Sequence, residues 1–153
     1  MRVYRAFERK HGATAFSGEG ARLYGGRWNS VGSPVVYTST TFSLALLEIM
    51  VNASTPRIPP DMLYAPMDIP DEVRLDVLDI ETLPQNWFDS PAPPECQLAG
   101  DSWMHRGETV GLVVPSAVAR IETNVLLNPA HPDFVRIVVG DTDAMAIDHR
   151  LVR

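Results

Sequence analysis

Residues 25–52, GGRWNSVGSPVVYTSTTFSLALLEIMVN, limit the possible folds more than any other part of the chain. Gly25-Gly26 and Gly32-Ser33-Pro34 read as turns, because glycine admits φ > 0 and proline fixes φ. Residues 35–39 read as a strand whose period of two puts Val35, Tyr37 and Ser39 on one face. Thr40, Thr41 or Ser43 can cap the apolar helix expected over residues 42–51, and Asn52-Ala53-Ser54 followed by Pro56 ends it. The rest of the chain reads as the body that folds around this turn, strand and helix.

Residues 2–7 alternate as a first strand, with Val3, Arg5 and Phe7 on one face. Residues 8–22 lose that pattern and read as a long loop, a length more often functional than idle. Residues 62–69 and 73–80 read as strands, and residues 83–94 as irregular, Pro-rich surface packed by Trp87 and Phe88. Residues 95–106 read as a helix stopped by Gly107, although Gly100 weakens it. Strands are expected over residues 110–114, 120–127 and 134–139, and a last one over 146–152. The expectation is one strand-rich α/β (α+β) domain spanning residues 1–153.

A chain of 153 residues suffices for one sizeable core. Its net charge of -6 argues against unaided binding to a nucleic-acid backbone or an anionic membrane, but leaves room for a local pocket for a phosphate-bearing ligand. Cys96 is alone, so no internal disulfide is expected. No stretch approaches the roughly 20 apolar residues of a membrane span, and the N-terminus lacks a signal-peptide pattern. A cytoplasmic protein is expected. His11, His105, His131 and His149 show no metal-ligand spacing, and the glycine motifs of P-loops and Rossmann folds are absent, so no metal is expected.

Glu48 is the sharpest single feature. At helical spacing Leu44, Leu47, Glu48 and Val51 share a face, which sets a carboxylate among core-facing leucines. Such a charge needs a partner or an opening to a cleft. Arg27 follows two glycines, where a backbone can approach a ligand and a guanidinium can grip an anion, unless it is an exposed strand-end arginine. Tyr37 could offer a ring face beside both, or be plain core. Ser116 ends a strand without the elbow motif of a hydrolase. Asn124, Asn128 and His131 read equally as turn residues or as site residues, with the structural reading preferred for Asn124 and His131. The residues alone suggest an Arg/Tyr/Glu pocket for an anionic, ring-bearing ligand.

Taken with LVVPSAV and NVLLNPAHPDF, the 25–52 stretch resembles the RES domain, the toxin component of type II toxin–antitoxin pairs whose partner is an Xre-type helix-turn-helix antitoxin. The arginine, glutamate and serine of that family are matched by Arg27, Glu48 and Ser116. The likeness runs from VYR in the first strand to DHRL near the end. It implies a fold similar to diphtheria-toxin-type ADP-ribosyltransferases and cleavage of the nicotinamide–ribose bond of NAD. NAD is then a substrate rather than a cofactor, and water or inorganic phosphate is the acceptor (an NAD glycohydrolase or phosphorylase). The alternatives are an ADP-ribosyltransferase acting on a protein, or a nucleotide-binding module without catalysis. The implied roles put Glu48 at the ribose, Arg27 on the pyrophosphate, Tyr37 against the nicotinamide ring and Ser116 as an orienting hydrogen bonder. Arg5, Asn29 and Ser39 are further candidate substrate contacts. The resemblance also implies that the antitoxin covers the site, that DNA is met only through it, and that a homodimer forms within that complex.

Overall fold

A computed structural model of the chain describes residues 1–52 and 61–152. Eight strands, β1 (Arg2–Glu8), β2 (Val36–Ser39), β3 (Met62–Asp68), β4 (Leu75–Val77), β5 (Gly111–Pro115), β6 (Thr123–Leu127), β7 (Val138–Val139) and β8 (Asp143–Ala144), build one sheet. Its order is β4-β5-β6-β2-β1-β3-β7, with β8 also on β3. Neighbours run antiparallel except β4 and β5. Three helices, α1 (Glu19–Tyr24), α2 (Phe42–Asn52) and α3 (Pro94–Arg106), complete this mixed α/β fold. Among the described residues, no helix is long and apolar enough to cross a membrane.

Hydrophobic cores lie on both faces of the sheet, so β5 and β6 (GLVVP and TNVLL) read as nearly continuous apolar runs. One core gathers Val3, Val36, Met67, Val110, Val125 and Leu127. The other gathers Trp28, Val35, Trp87, Cys96, Trp103, Leu112, Val114 and Leu126. Cys96 and Trp103 of α3 belong to that second core, together with the Trp28 loop. Pro94 starts α3, Glu95 lies in its first turn, and Gly107 ends it in the left-handed region at φ 60. Gly100, the residue that weakened the sequence reading of this helix, is what lets α3 dock. A Cβ there would stand 1.7 Å from the carbonyl oxygen of Trp28.

Thr41 caps α2, its Oγ1 accepting from the N–H of Leu44 at 3.0 Å. The expected leucine-lined face is corrected. Leu44 and Ala45 are buried, while Leu47 and Val51 are 39% and 59% exposed, Val51 where a cleft opens beneath the second half of the helix. The expected end of the helix at Ala53, Ser54 and Pro56 lies outside the described residues.

Other expectations change as well. Residues 8–22 are not a loop but a 3-10 helix (Arg9–Thr14) followed by α1. Gly18, at φ 70 and tight against the backbone of Val35, makes the turn between them, and Glu19 pairs with Arg22 along α1. The expected strand over 134–139 is mostly a 3-10 helix (Pro132–Arg136), started by Pro132 and capped by His131, with only Val138–Val139 extended. The tail is not a strand over 146–152. β8 forms earlier, and the Asp148 carboxylate bonds the N–H and guanidinium of Arg150 as the chain turns into a 3-10 helix, His149–Val152. The strand expected over 73–80 shortens to β4.

The two helical glycines should respond oppositely to alanine. Gly100→Ala is expected to cost about 2–3 kcal/mol or more, since backbone cannot yield as a side chain can. Gly20→Ala, with nothing within 4 Å of the added Cβ, should be neutral or stabilising by up to about 1 kcal/mol. Urea denaturation of both variants measures the difference.

Candidate active site

Beneath α2 an open cleft of about 1060 Å³ is lined by side chains from β1, β2, α1, α2, the Gly25–Trp28 turn and residues 88–94. Arg5, Arg27, Tyr37, Ser39, Glu48 and Asn124 all reach it. Asn29 and Ser116 do not line it, being fully buried behind it.

The Glu48 carboxylate is held through one oxygen. Its Oε1 accepts from Ser116 Oγ at 2.9 Å and from Asn124 Nδ2 at 2.6 Å. Asn124 is oriented in turn by Ser39, whose Oγ donates to Asn124 Oδ1 at 2.7 Å across the paired strands β2 and β6. Ser116 is fixed from behind, its Oγ accepting from the N–H groups of Val118 and Ala119, both at 3.1 Å. Among the described residues nothing bonds Oε2, and Glu48 lines the cleft. Period two on β2 and β6 places Ser39 and Asn124 on the cleft face. Asn124, read from sequence as a structural residue, is therefore part of the site. The missed signal was its place three residues before the end of an apolar strand.

Arg27 sits on a loop clamped from two sides. The Tyr37 hydroxyl accepts from the Trp28 N–H at 3.1 Å and donates to Asn29 Oδ1 at 2.7 Å. Asn29 Nδ2 bonds the carbonyls of Ala21, Ser30 and Ser33. From α3, Gln97 Nε2 donates to the carbonyls of Gly26 and Asn29, and Asp101 accepts from the Ser30 N–H. Gln97, Gly100 and Asp101 follow helical i, i+3, i+4 spacing, so one face of α3 grips the loop. Burial pushes the Tyr37 phenol well above its ordinary pKa, so it remains a hydrogen-bond donor at neutral pH. The guanidinium of Arg27 is itself engaged, donating to the backbone carbonyls of Trp87 and Asp89.

Arg5 is a different kind of cation. β1 and β2 register only at Tyr4 and Ser39, and Arg5 fills the seam beside that pair. Its Nε donates to Ala15 O at 3.0 Å and its Nη1 to Tyr37 O at 3.1 Å. No carboxylate among the described residues forms an ion pair with it. Burial lowers its pKa from the ordinary arginine value to about 10, so at neutral pH it keeps its charge. The arrangement as a whole offers one oriented carboxylate and two arginines, Arg5 and Arg27, that are bonded to backbone carbonyls and ion-paired with no carboxylate among the described residues.

Comparison with known proteins places this geometry. A model of the RES domain matches residues 2–148. The chain is 42% identical to a protein named "Toxin Res" of Photorhabdus laumondii, the alignment covering 100% of this chain and 98% of the relative. It is 35% identical to the "Prs ADP-ribosylating toxin" of a Sphingobium species, over 95% of this chain and 91% of that one. Among solved structures, the crystal structure of the M. tuberculosis MbcT–MbcA toxin–antitoxin complex superposes with a TM-score of 0.69 at 21% identity. It covers 95% of this chain and 84% of that one, which shows a shared fold.

The hydrogen bonding predicts how variants of the site behave. Glu48→Gln retains an oxygen for both donors and should stay within about 1 kcal/mol of the parent. Glu48→Ala, which orphans the Asn124 amide, should cost about 1–3 kcal/mol. Tyr37→Phe leaves the Trp28 N–H and the Asn29 oxygen without a partner and should lose a similar amount. Denaturant titration separates the three.

Proposed function

The chain belongs to the RES domain family, and we propose that it is the toxin of a toxin–antitoxin pair that consumes NAD by breaking the bond between nicotinamide and ribose. The observation that carries the reading is the Glu48 carboxylate, held through one oxygen by Ser116 and Asn124 while it lines a cleft that also holds Arg5. At about 1060 Å³ the cleft is large enough for a dinucleotide.

In this reading the ribosyl–nitrogen bond breaks with its electron pair going to the nicotinamide ring. That ring leaves neutral, and the ribosyl carbon becomes oxocarbenium-like. The Glu48 carboxylate faces the developing positive charge from a position fixed before substrate arrives. Ser116, Asn124 and Ser39 act through Glu48. Arg5 takes the negative diphosphate. Arg27, with its terminal nitrogens on backbone carbonyls, supports the cleft wall. Asn29 and Tyr37 hold the loop that carries it. Water or inorganic phosphate then adds to the ribosyl carbon, and water gives up a proton on doing so.

A second reading, transfer of ADP-ribose to a protein, draws support from the Sphingobium relative, whose name describes an ADP-ribosylating toxin. The cleavage chemistry at Glu48 is shared, and only the acceptor differs. For the partner, the proposal is an Xre-type antitoxin that covers the cleft in the cytoplasm, contacts DNA on the toxin's behalf, and joins two toxin copies in one complex. Tyr24 and Val51, 82% and 59% exposed on the cleft lining, are apolar surface such a partner would bury.

The test is nicotinamide release from NAD by purified, antitoxin-free protein, with and without phosphate. Release by the parent and a loss of at least about a hundredfold in Glu48→Gln are expected, in line with removal of one transition-state charge contact. Phosphate dependence names the acceptor, and release only with a protein target present selects the transferase. Tight NAD binding with no release under any of these conditions would leave the non-catalytic module standing.

A further inference from the structure

We propose that Phe88 is a ring-binding wall of the cleft and that Arg27 is its positioning residue; this rests on the NAD reading above. Residues 83–93 form no strand or α-helix, and a side chain on such a segment is ordinarily free to move. Phe88 is not. The Arg27 guanidinium donates to the carbonyls of Trp87 and Asp89, the residues on either side of it, with Nη1 on one and Nη2 on the other. The Cys96 thiol of α3 donates to the same Trp87 carbonyl at 3.5 Å. Arg120, from the turn between β5 and β6, lies over the Phe88 ring at 4.0 Å from its centroid. Trp87 meets the ring edge-on at 5.7 Å and 86°.

These contacts hold a ring that packs against the second core with one part of it only. Trp87 enters the core at 6% exposure, whereas its neighbour Phe88 remains half-buried and lines the cleft. An aromatic ring fixed by contacts from separate elements, yet left facing a cavity, is suited to a flat heteroaromatic ring of the ligand. The planar fork of Arg27 matches two carbonyls spaced two residues apart, one terminal nitrogen on each. Each end of a dinucleotide such as NAD carries such a ring, and the two ends are separable by experiment.

The experiment measures NAD affinity by calorimetry for Glu48→Gln, which prevents turnover, and for Phe88→Ala, Phe88→Tyr, Arg27→Ala and Phe88→Ala/Arg27→Ala in that background. Phe88→Ala is expected to weaken NAD roughly ten- to hundredfold, as loss of one base–aromatic stack does. Phe88→Tyr should stay within about threefold, since the ring is kept. The double variant should bind no more than about twofold weaker than Phe88→Ala alone, because Arg27 acts through Phe88. Unchanged affinity in Phe88→Ala overturns the ring wall. Losses that multiply in the double variant overturn the positioning role. Repeating the series with ADP-ribose assigns the ring, because a penalty that persists is adenine's and one that vanishes is nicotinamide's. Failure of the NAD reading is distinct: neither the parent nor Glu48→Gln binds NAD, and no nicotinamide is released.

Discussion

The hydrogen bonds that end on Oε1 of Glu48 fix the geometry on which the rest of the site depends. α2 supplies the carboxylate, the end of β5 leads into Ser116, β6 supplies Asn124, and β2 supplies the Ser39 that orients Asn124. A carboxylate near a sheet and beside leucines is costly unless it is bonded, so this network removes the penalty and sets the direction of the free oxygen together. Substrate meets an arrangement that needs no further ordering, which is where such sites gain rate.

β2 links that network to the other half of the cleft. It is only four residues long, yet two side chains on one of its faces serve different halves of the site. Tyr37 ties down the Gly25–Ser30 loop, and Ser39 ties down Asn124. α3 grips the same loop from behind through Gln97, Gly100 and Asp101. Arg27 extends this rigidity outward to the irregular segment around Phe88. The cleft is therefore held mainly by side chain-to-backbone hydrogen bonds, which fix loops where ladder hydrogen bonds cannot.

Much of this was legible in the chain. The 25–52 unit emerged as turn, strand and helix because glycine pairs, a β-branched run and a capped apolar segment are local signals. A strand-rich α/β architecture followed from similar cues, and Glu48 was conspicuous as a charge within an apolar helix. What escaped notice depends on distant contacts. Gln97 carries no local mark of its role and Asn124 only its place in an apolar strand, since the docking of α3 and the pairing of β2 with β6 give them their partners. Gly100 weakened a helix on propensity alone, whereas its reason is the Trp28 carbonyl pressed against it. The tail and residues 134–139 looked extended by hydrophobic content, but Pro132 and Asp148 redirect the backbone into 3-10 turns. The leucine face of α2 was assigned by period, without knowledge that a cleft interrupts the surface it covers.

The most direct measurement is a crystal structure of the Glu48→Gln variant with NAD bound. The account predicts the nicotinamide ribose against the cleft-facing end of residue 48, the diphosphate on Arg5, and Ser116 and Asn124 still bonded to that side chain. NAD ordered elsewhere, or a diphosphate seated on Arg27 with its carbonyl bonds broken, would contradict it.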